Sequence, residues 1–117
     1  MTIKLKRFLE GLLEGYSDEA PDEATYPYKV FSIRKLMMED GISFYLLEVN
    51  VWDKHKYYSR AESMMDKLEK MLNKQVFNTE DLVIYTYIGQ RDNIVDQDKQ
   101  IKRVRGQFEI RVVSKEE

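Results

Sequence analysis

One stretch of this chain constrains the fold more than any other. It runs from Phe44 to Asn73 and reads FYLLEVNVWDKHKYYSRAESMMDKLEKMLN. In its first part, Tyr45, Leu47, Val49 and Val51 alternate with Phe44, Leu46, Glu48, Asn50 and Trp52, the period-two pattern of a strand. One face is therefore core. The other is half apolar and half polar, as a sheet face that meets another subunit would be. After a polar, tyrosine-rich bridge, Ala61, Met64, Met65, Leu68, Met71 and Leu72 repeat at helical spacing. Ser59-Arg60-Ala61-Glu62 has the form of a capping box opening that helix. The methionine stripe reads as core packing ahead of a binding face.

The remaining segments supply partners for this strand and helix. Leu5, Phe8, Leu9 and Leu12 form one helical stripe, with Thr2 as N-cap and Gly15 as the left-handed closing residue. Gly11 marks a close contact or a weak helix. Residues 17–26 are an acidic loop containing Asp18, Glu19, Asp22 and Glu23, which serves as a solvated connector or an arm for a partner. Tyr28 to Met38 reads as a strand, turning through Glu39-Asp40-Gly41 into the second strand, Ser43 to Trp52. Leu82 to Ile88 is a third strand, 90–100 a long polar loop, and Ile101 to Val113 a fourth. Phe108, Ile110 and Val112 point inward, and Gly106 signals a bulge or a close backbone approach. Residues 114–117 are expected to fray.

The order α-β-β-α-β-β predicts a single α+β domain over 1–117, with two helices packed on one face of a mainly antiparallel four-stranded sheet. Its 117 residues are enough for one core. Charged residues make up 34%, above the usual ~25%. The net charge of −2 makes the whole molecule a poor nucleic-acid attractor. With no cysteine, disulfides, zinc thiolates and thiol catalysis are excluded. The charged N-terminal segment is unlike a signal peptide, and no run of ~18 apolar residues occurs, so a soluble cytoplasmic product without a membrane partner is expected.

Little in the chain suggests chemistry. The single histidine, His55, lies between Lys54 and Lys56 with nothing nearby in sequence to orient it, and reads as a loop residue. Asp92, Asp96 and Asp98 are loosely similar to an oxygen-rich cation loop, but their spacing departs from the calcium pattern. No cofactor is expected. Lys99, Lys102, Arg103, Arg105 and Arg111 form the only basic cluster. Arg103, Arg105 and Arg111 share one strand parity with Glu109. The cluster reads as an exposed face matched to acidic groups, such as the 17–23 loop of the same or a neighbouring chain, ahead of a nucleic-acid contact. The eight tyrosines are stacking surface or interface anchors.

Three segments carry a family resemblance. They are Tyr26-Pro27-Tyr28-Lys29-Val30-Phe31, then Leu47 to Asp53 with Ser59 to Asn73, then Asp96 to Arg103 with Gln107 to Arg111. Together they resemble the small tail terminator, or tail-completion, proteins of long-tailed bacteriophages and prophages; the acidic loop has no clear counterpart there. The resemblance implies a non-enzymatic virion protein at the tail–neck junction, assembled in the host cytoplasm. It would form a ring, typically hexameric, that ends tail-tube polymerisation and joins the head-tail connector. Candidate interface residues are Trp52, Asp53, Asp96, Asp98, Lys102, Arg103, Arg105 and Arg111, with Trp52 equally readable as core. Another head-completion protein, or a cytoplasmic α+β module binding a nucleic acid or ligand, is the alternative.

Overall fold

Asp40 and Gly41 both have positive φ, 52° and 78°, and Glu39 pairs directly with Ile42 across them. This is the two-residue turn whose twist matches the strands it joins. It makes one long hairpin of residues 28–54. The computed structural model describes residues 1–115. In chain order the elements are α1 (Thr2–Leu13), β1 (Tyr16–Ser17), β2 (Tyr28–Glu39), β3 (Ile42–Lys54), α2 (Ser59–Leu72), β4 (Gln75–Asn78), β5 (Leu82–Val95) and β6 (Ile101–Ser114). The strands form one sheet in the order β1-β2-β3-β6-β5-β4. β1 runs parallel to β2, and every other neighbouring pair is antiparallel. The sheet curls into a half-barrel. Its long strands set the long dimension of a 50 × 26 × 21 Å molecule.

The core lies between the helices and one face of the sheet. Tyr45, Leu47, Val49 and Val51 of β3 are fully buried there, beside Phe108, Ile110 and Val112 of β6 and Ile84 of β5. α1 contributes Leu5, Leu9 and Leu13; α2 contributes Ala61, Met65, Leu68 and Leu72. Each of the buried Val, Leu, Ile, Phe and Met side chains stabilises the fold by roughly 1.5–3 kcal/mol relative to exposure. At Gly106 a side chain of α2 lies tight against the sheet: a Cβ there would stand 2.7 Å from the Met65 sulfur. It is therefore a close approach. The register shift in that strand pair lies on β5, between Ile88 and Arg91.

The α+β class holds, but the expected four-stranded, mainly antiparallel sheet does not: the sheet is six-stranded and mixed. Two short edge strands account for the count. Ser17, expected in the acidic loop, pairs with Phe31 in β1. Gln75–Asn78 pairs with Val83 to Thr86, directing Phe77 into contact with Phe8 of α1 at 5.5 Å. The expected loop 90–100 is strand as far as Val95, leaving only residues 96–100 as the connection. Its polar residues are tolerated because they are paired across the fold. The Arg91 guanidinium donates to Asp66 and Glu69 of α2, each at 2.6 Å, and to the Glu62 carbonyl at 3.1 Å.

The helix ends also differ from expectation. Tyr58 precedes α2 and its carbonyl accepts the Glu62 N–H at 2.8 Å, so Ser59 lies inside the helix and the capping box is not formed. Thr2 lies inside α1, and its hydroxyl sits 2.9 Å from the Tyr45 hydroxyl. Glu14, not Gly15, takes the left-handed closing conformation. Gly15 instead abuts β2: a Cβ there would be 3.1 Å from the Lys29 carbonyl oxygen. Gly11 has open space around it. Ser114 pairs with Leu82, and the Lys115 N–H donates to the Asp81 carbonyl at 2.8 Å, so this part of the expected frayed tail is held; residues 116–117 lie outside the described residues.

Candidate functional site

Strand alternation places every second residue of β2, β3, β5 and β6 on the face away from the core. Phe44 stands opposite Arg111, Leu46 opposite Glu109, Glu48 opposite Gln107, Asn50 opposite Arg105 and Trp52 opposite Arg103. β5 extends these rows with Tyr85, Tyr87, Asp92 and Ile94. β2 extends them with Tyr28, Val30, Ser32 and Arg34. Both helices bury their apolar stripes on the opposite side.

Each arginine predicted to share this face does so, and each is held in place. Arg111 lies between two rings, 4.9 Å from the Tyr87 centroid and 5.4 Å from that of Phe44, and donates to Glu109 at 3.2 Å. Arg103 stacks on Trp52 at 4.8 Å while its Nε donates to the Asn50 side-chain oxygen at 2.8 Å. Such cation–π contacts contribute about 0.5–1 kcal/mol at exposed sites. Arg105 forms a two-point pair with Asp92, at 3.1 and 2.8 Å. Those hydrogen bonds are the main cause that raises its pKa. Trp52 is therefore half-buried on this face and is not among the buried core residues. The result is a mosaic: aromatic and aliphatic at the hairpin end, polar in the middle, and Trp52–Arg103 at the far end.

Lys102 departs from this arrangement. It has the other strand parity, and its ammonium sits 5.3 Å from the Tyr58 ring centroid at the helix side. Asp53 also points to the helix side, where it is fully buried. Both its oxygens accept from Arg60, at 2.8 and 2.5 Å. Hydrogen bonding from Arg60 is the first cause holding the Asp53 carboxyl below the usual range, with burial opposing it. Asp96 and Asp98 shape the turn between β5 and β6. The Asp98 N–H donates to Asp96 and the Gln100 N–H to Asp98, both at 2.9 Å. Among the described residues, no group of three or more His, Asp or Glu is placed to hold a metal ion.

The end of β3 and the start of β6 meet in an open depression of about 590 Å³ lined by Lys54, His55, Lys56, Lys99, Gln100 and Lys102. The His55 N–H donates to the Gln100 carbonyl at 2.8 Å and ties the two segments together. His55 Nδ1 lies 3.1 Å from the Tyr57 backbone nitrogen and 3.2 Å from the Tyr57 carbonyl oxygen, so its ring is held against Tyr57. The sequence groups Lys99 with Lys102 but could not join Lys54 and Lys56 to them, because the strand pairing that joins Lys54 to Ile101 spans 47 positions. Among the described residues, no helix is long and apolar enough to cross a membrane.

The geometry defines an α+β half-barrel with one helix-covered face, one open mosaic face and a lysine-rich end. No family model matches the chain, and no curated protein matches it.

Proposed function

We propose that this chain is a structural, non-enzymatic protein of a phage or prophage, which caps the tail tube as a ring, ends tube polymerisation and presents the surface that joins the head. Its place is the tail–neck junction of the virion, with the tail-tube subunit, the connector and further copies of itself as partners. The observation that carries the reading is the open sheet face. Phe44, Leu46, Trp52, Tyr85 and Tyr87 lie there with no helix over them, among oriented arginines. Aromatic residues and arginine are the types enriched where proteins bind one another. Together with the resemblance of segments 26–31, 47–53 with 59–73, and 96–103 with 107–111 to tail terminators, this supports reading the face as the surface laid against the tube.

The test is electron microscopy of tail-tube subunits polymerising with and without the protein. The expected result is tubes of arrested length with a ring at one end. Tubes that elongate freely and stay bare would overturn the reading.

A further inference from the structure

The charged residues are not evenly neutralised. On the open face, Arg105 and Arg111 have carboxylate partners within the chain. At the end of the sheet, Lys54, Lys56, Lys99 and Lys102 have none among the described residues. Their ammonium groups contact only a tyrosine ring or a backbone carbonyl where they contact anything: Lys56 lies over Tyr57, and Lys102 over Tyr58 and against the Lys99 carbonyl. The acidic loop shows the same imbalance with opposite sign. Asp18 pairs with Lys6 at 3.1 Å, while Glu19, Asp22 and Glu23 are in no ion pair among the described residues.

The topology places these two groups at the same end of the sheet. The row Tyr28–Trp52–Arg103–Ile94 crosses the four long strands at that end. The acidic loop runs into the row at Tyr28, on the β1–β2 margin. The 96–100 turn, with Lys99, follows it from Ile94 and Val95 on the β5 margin. The loop is tethered at both ends. The Asp18 N–H donates to the Phe31 carbonyl at 2.8 Å, and Tyr26 packs on Tyr28 with centroids 5.2 Å apart. On the other margin, β4 covers β5 only from Val83 to Thr86, so no strand flanks its outer side near Val95, which is 87% exposed. β1 and β5 run antiparallel to each other, so a second copy set beside the first in the same orientation continues the sheet with matching strand sense.

We infer that the occupant of the lysine-rich end is the acidic loop of a second copy of this chain, bringing Glu19, Asp22 and Glu23 to Lys99 and Lys102 in a head-to-tail contact. Such a contact joins two different patches and repeats around a closed ring. The inference rests on the ring reading above for its closure, and on the charge distribution for its partner.

Charge exchange tests it. One variant carries Lys99→Glu with Lys102→Glu; the other carries Glu19→Lys, Asp22→Lys and Glu23→Lys. All five positions are at the surface, and thermal melts check that both variants fold. In sedimentation velocity at low salt and high protein concentration, the wild-type chain is expected to self-associate and to lose association as salt rises. Each variant alone should associate about a hundredfold more weakly, because like charges then face each other. An equimolar mixture should associate again, since alternating copies restore opposite charges at every contact. A monomeric wild type under these conditions, variants that associate like the wild type, or a mixture that stays apart would each overturn the inference. So would binding of a DNA oligonucleotide that depends on Lys99 and Lys102 without self-association, which would assign the lysines to phosphodiesters. Tube capping is read separately. A chain that associates in this way yet leaves tubes bare keeps this inference and loses the terminator reading. A chain that caps tubes with only one of the two patches reversed does the opposite.

Discussion

The two faces of the sheet are built from alternate residues of the same strands, and they solve different problems. On the covered face, Tyr45, Leu47, Val49 and Val51 meet two helices and exclude water. On the open face, Phe44, Asn50 and Trp52, their immediate neighbours, meet no helix and are contacted by Arg111 and Arg103. The covered face carries the stability of the fold, because that is where apolar area leaves water. The open face contributes little to folding. Its ordered rings and guanidinium groups are already oriented for a partner, so less conformational freedom is lost when one binds.

The sharpest way to break this division is to cut the covered face. Phe108 is 1% exposed and packs beneath α2 near Gly106. Phe108→Ala is expected to cost about 3–5 kcal/mol in denaturant unfolding. A loss below about 1 kcal/mol would mean that the helices do not hold this face as described.

The buried carboxylate is the next largest effect. Asp53→Asn weakens the two-point pair with Arg60 and is expected to cost about 1–2 kcal/mol at neutral pH, reduced by solvent at the half-exposed arginine. Because the Asp53 carboxyl titrates below its ordinary value of 3.8, its contribution is present above that pH and is lost as pH falls through the lower, folded value. Unfolding curves at pH 6 and pH 3 should therefore differ more for the wild type than for Asp53→Asn. Equal differences would remove Asp53 as an acid-sensitive contact.

An open-face change should behave in the opposite way. Trp52→Ala removes the ring under Arg103 and is expected to cost only about 1 kcal/mol of stability while abolishing tube capping. Loss of folding in this variant would place Trp52 in the core after all. The smallest effect belongs to Ser43, fully buried with a hydroxyl that has no hydrogen-bond partner among the described residues. Ser43→Ala should leave the melting temperature unchanged or slightly raised, since no hydrogen bond is lost; a drop of several degrees would reveal a partner for that oxygen.

How much of this was legible depended on how local the physical cause was. The hairpin turn at Asp40-Gly41, the parity of β3 and most of the stripe of α2 are local patterns, and they were readable; Met71, expected on that stripe as core, is exposed. The extension of β5 beyond Ile88 was not, because QRDNIV is polar and its strand conformation depends on distant partners: Arg91 on α2 and Asp92 on Arg105. The short β4 has one inward aromatic, Phe77, whose partner Phe8 lies in α1. The parity of Arg103, Arg105 and Arg111 was visible, but their neutralisation was not. The lysine-rich end became visible only when β3 and β6 were paired.

The most direct test of the central claim is one pair of readouts on Trp52→Ala combined with Phe44→Ser, both on the open face. Thermal unfolding and tube-end binding are measured on the same preparation. The expected result is a folded protein whose melt stays cooperative and falls by no more than about 10 °C, and which leaves growing tail tubes bare while the wild type caps them. A variant that melts normally and still caps tubes would contradict the claim that the open face is the surface of assembly.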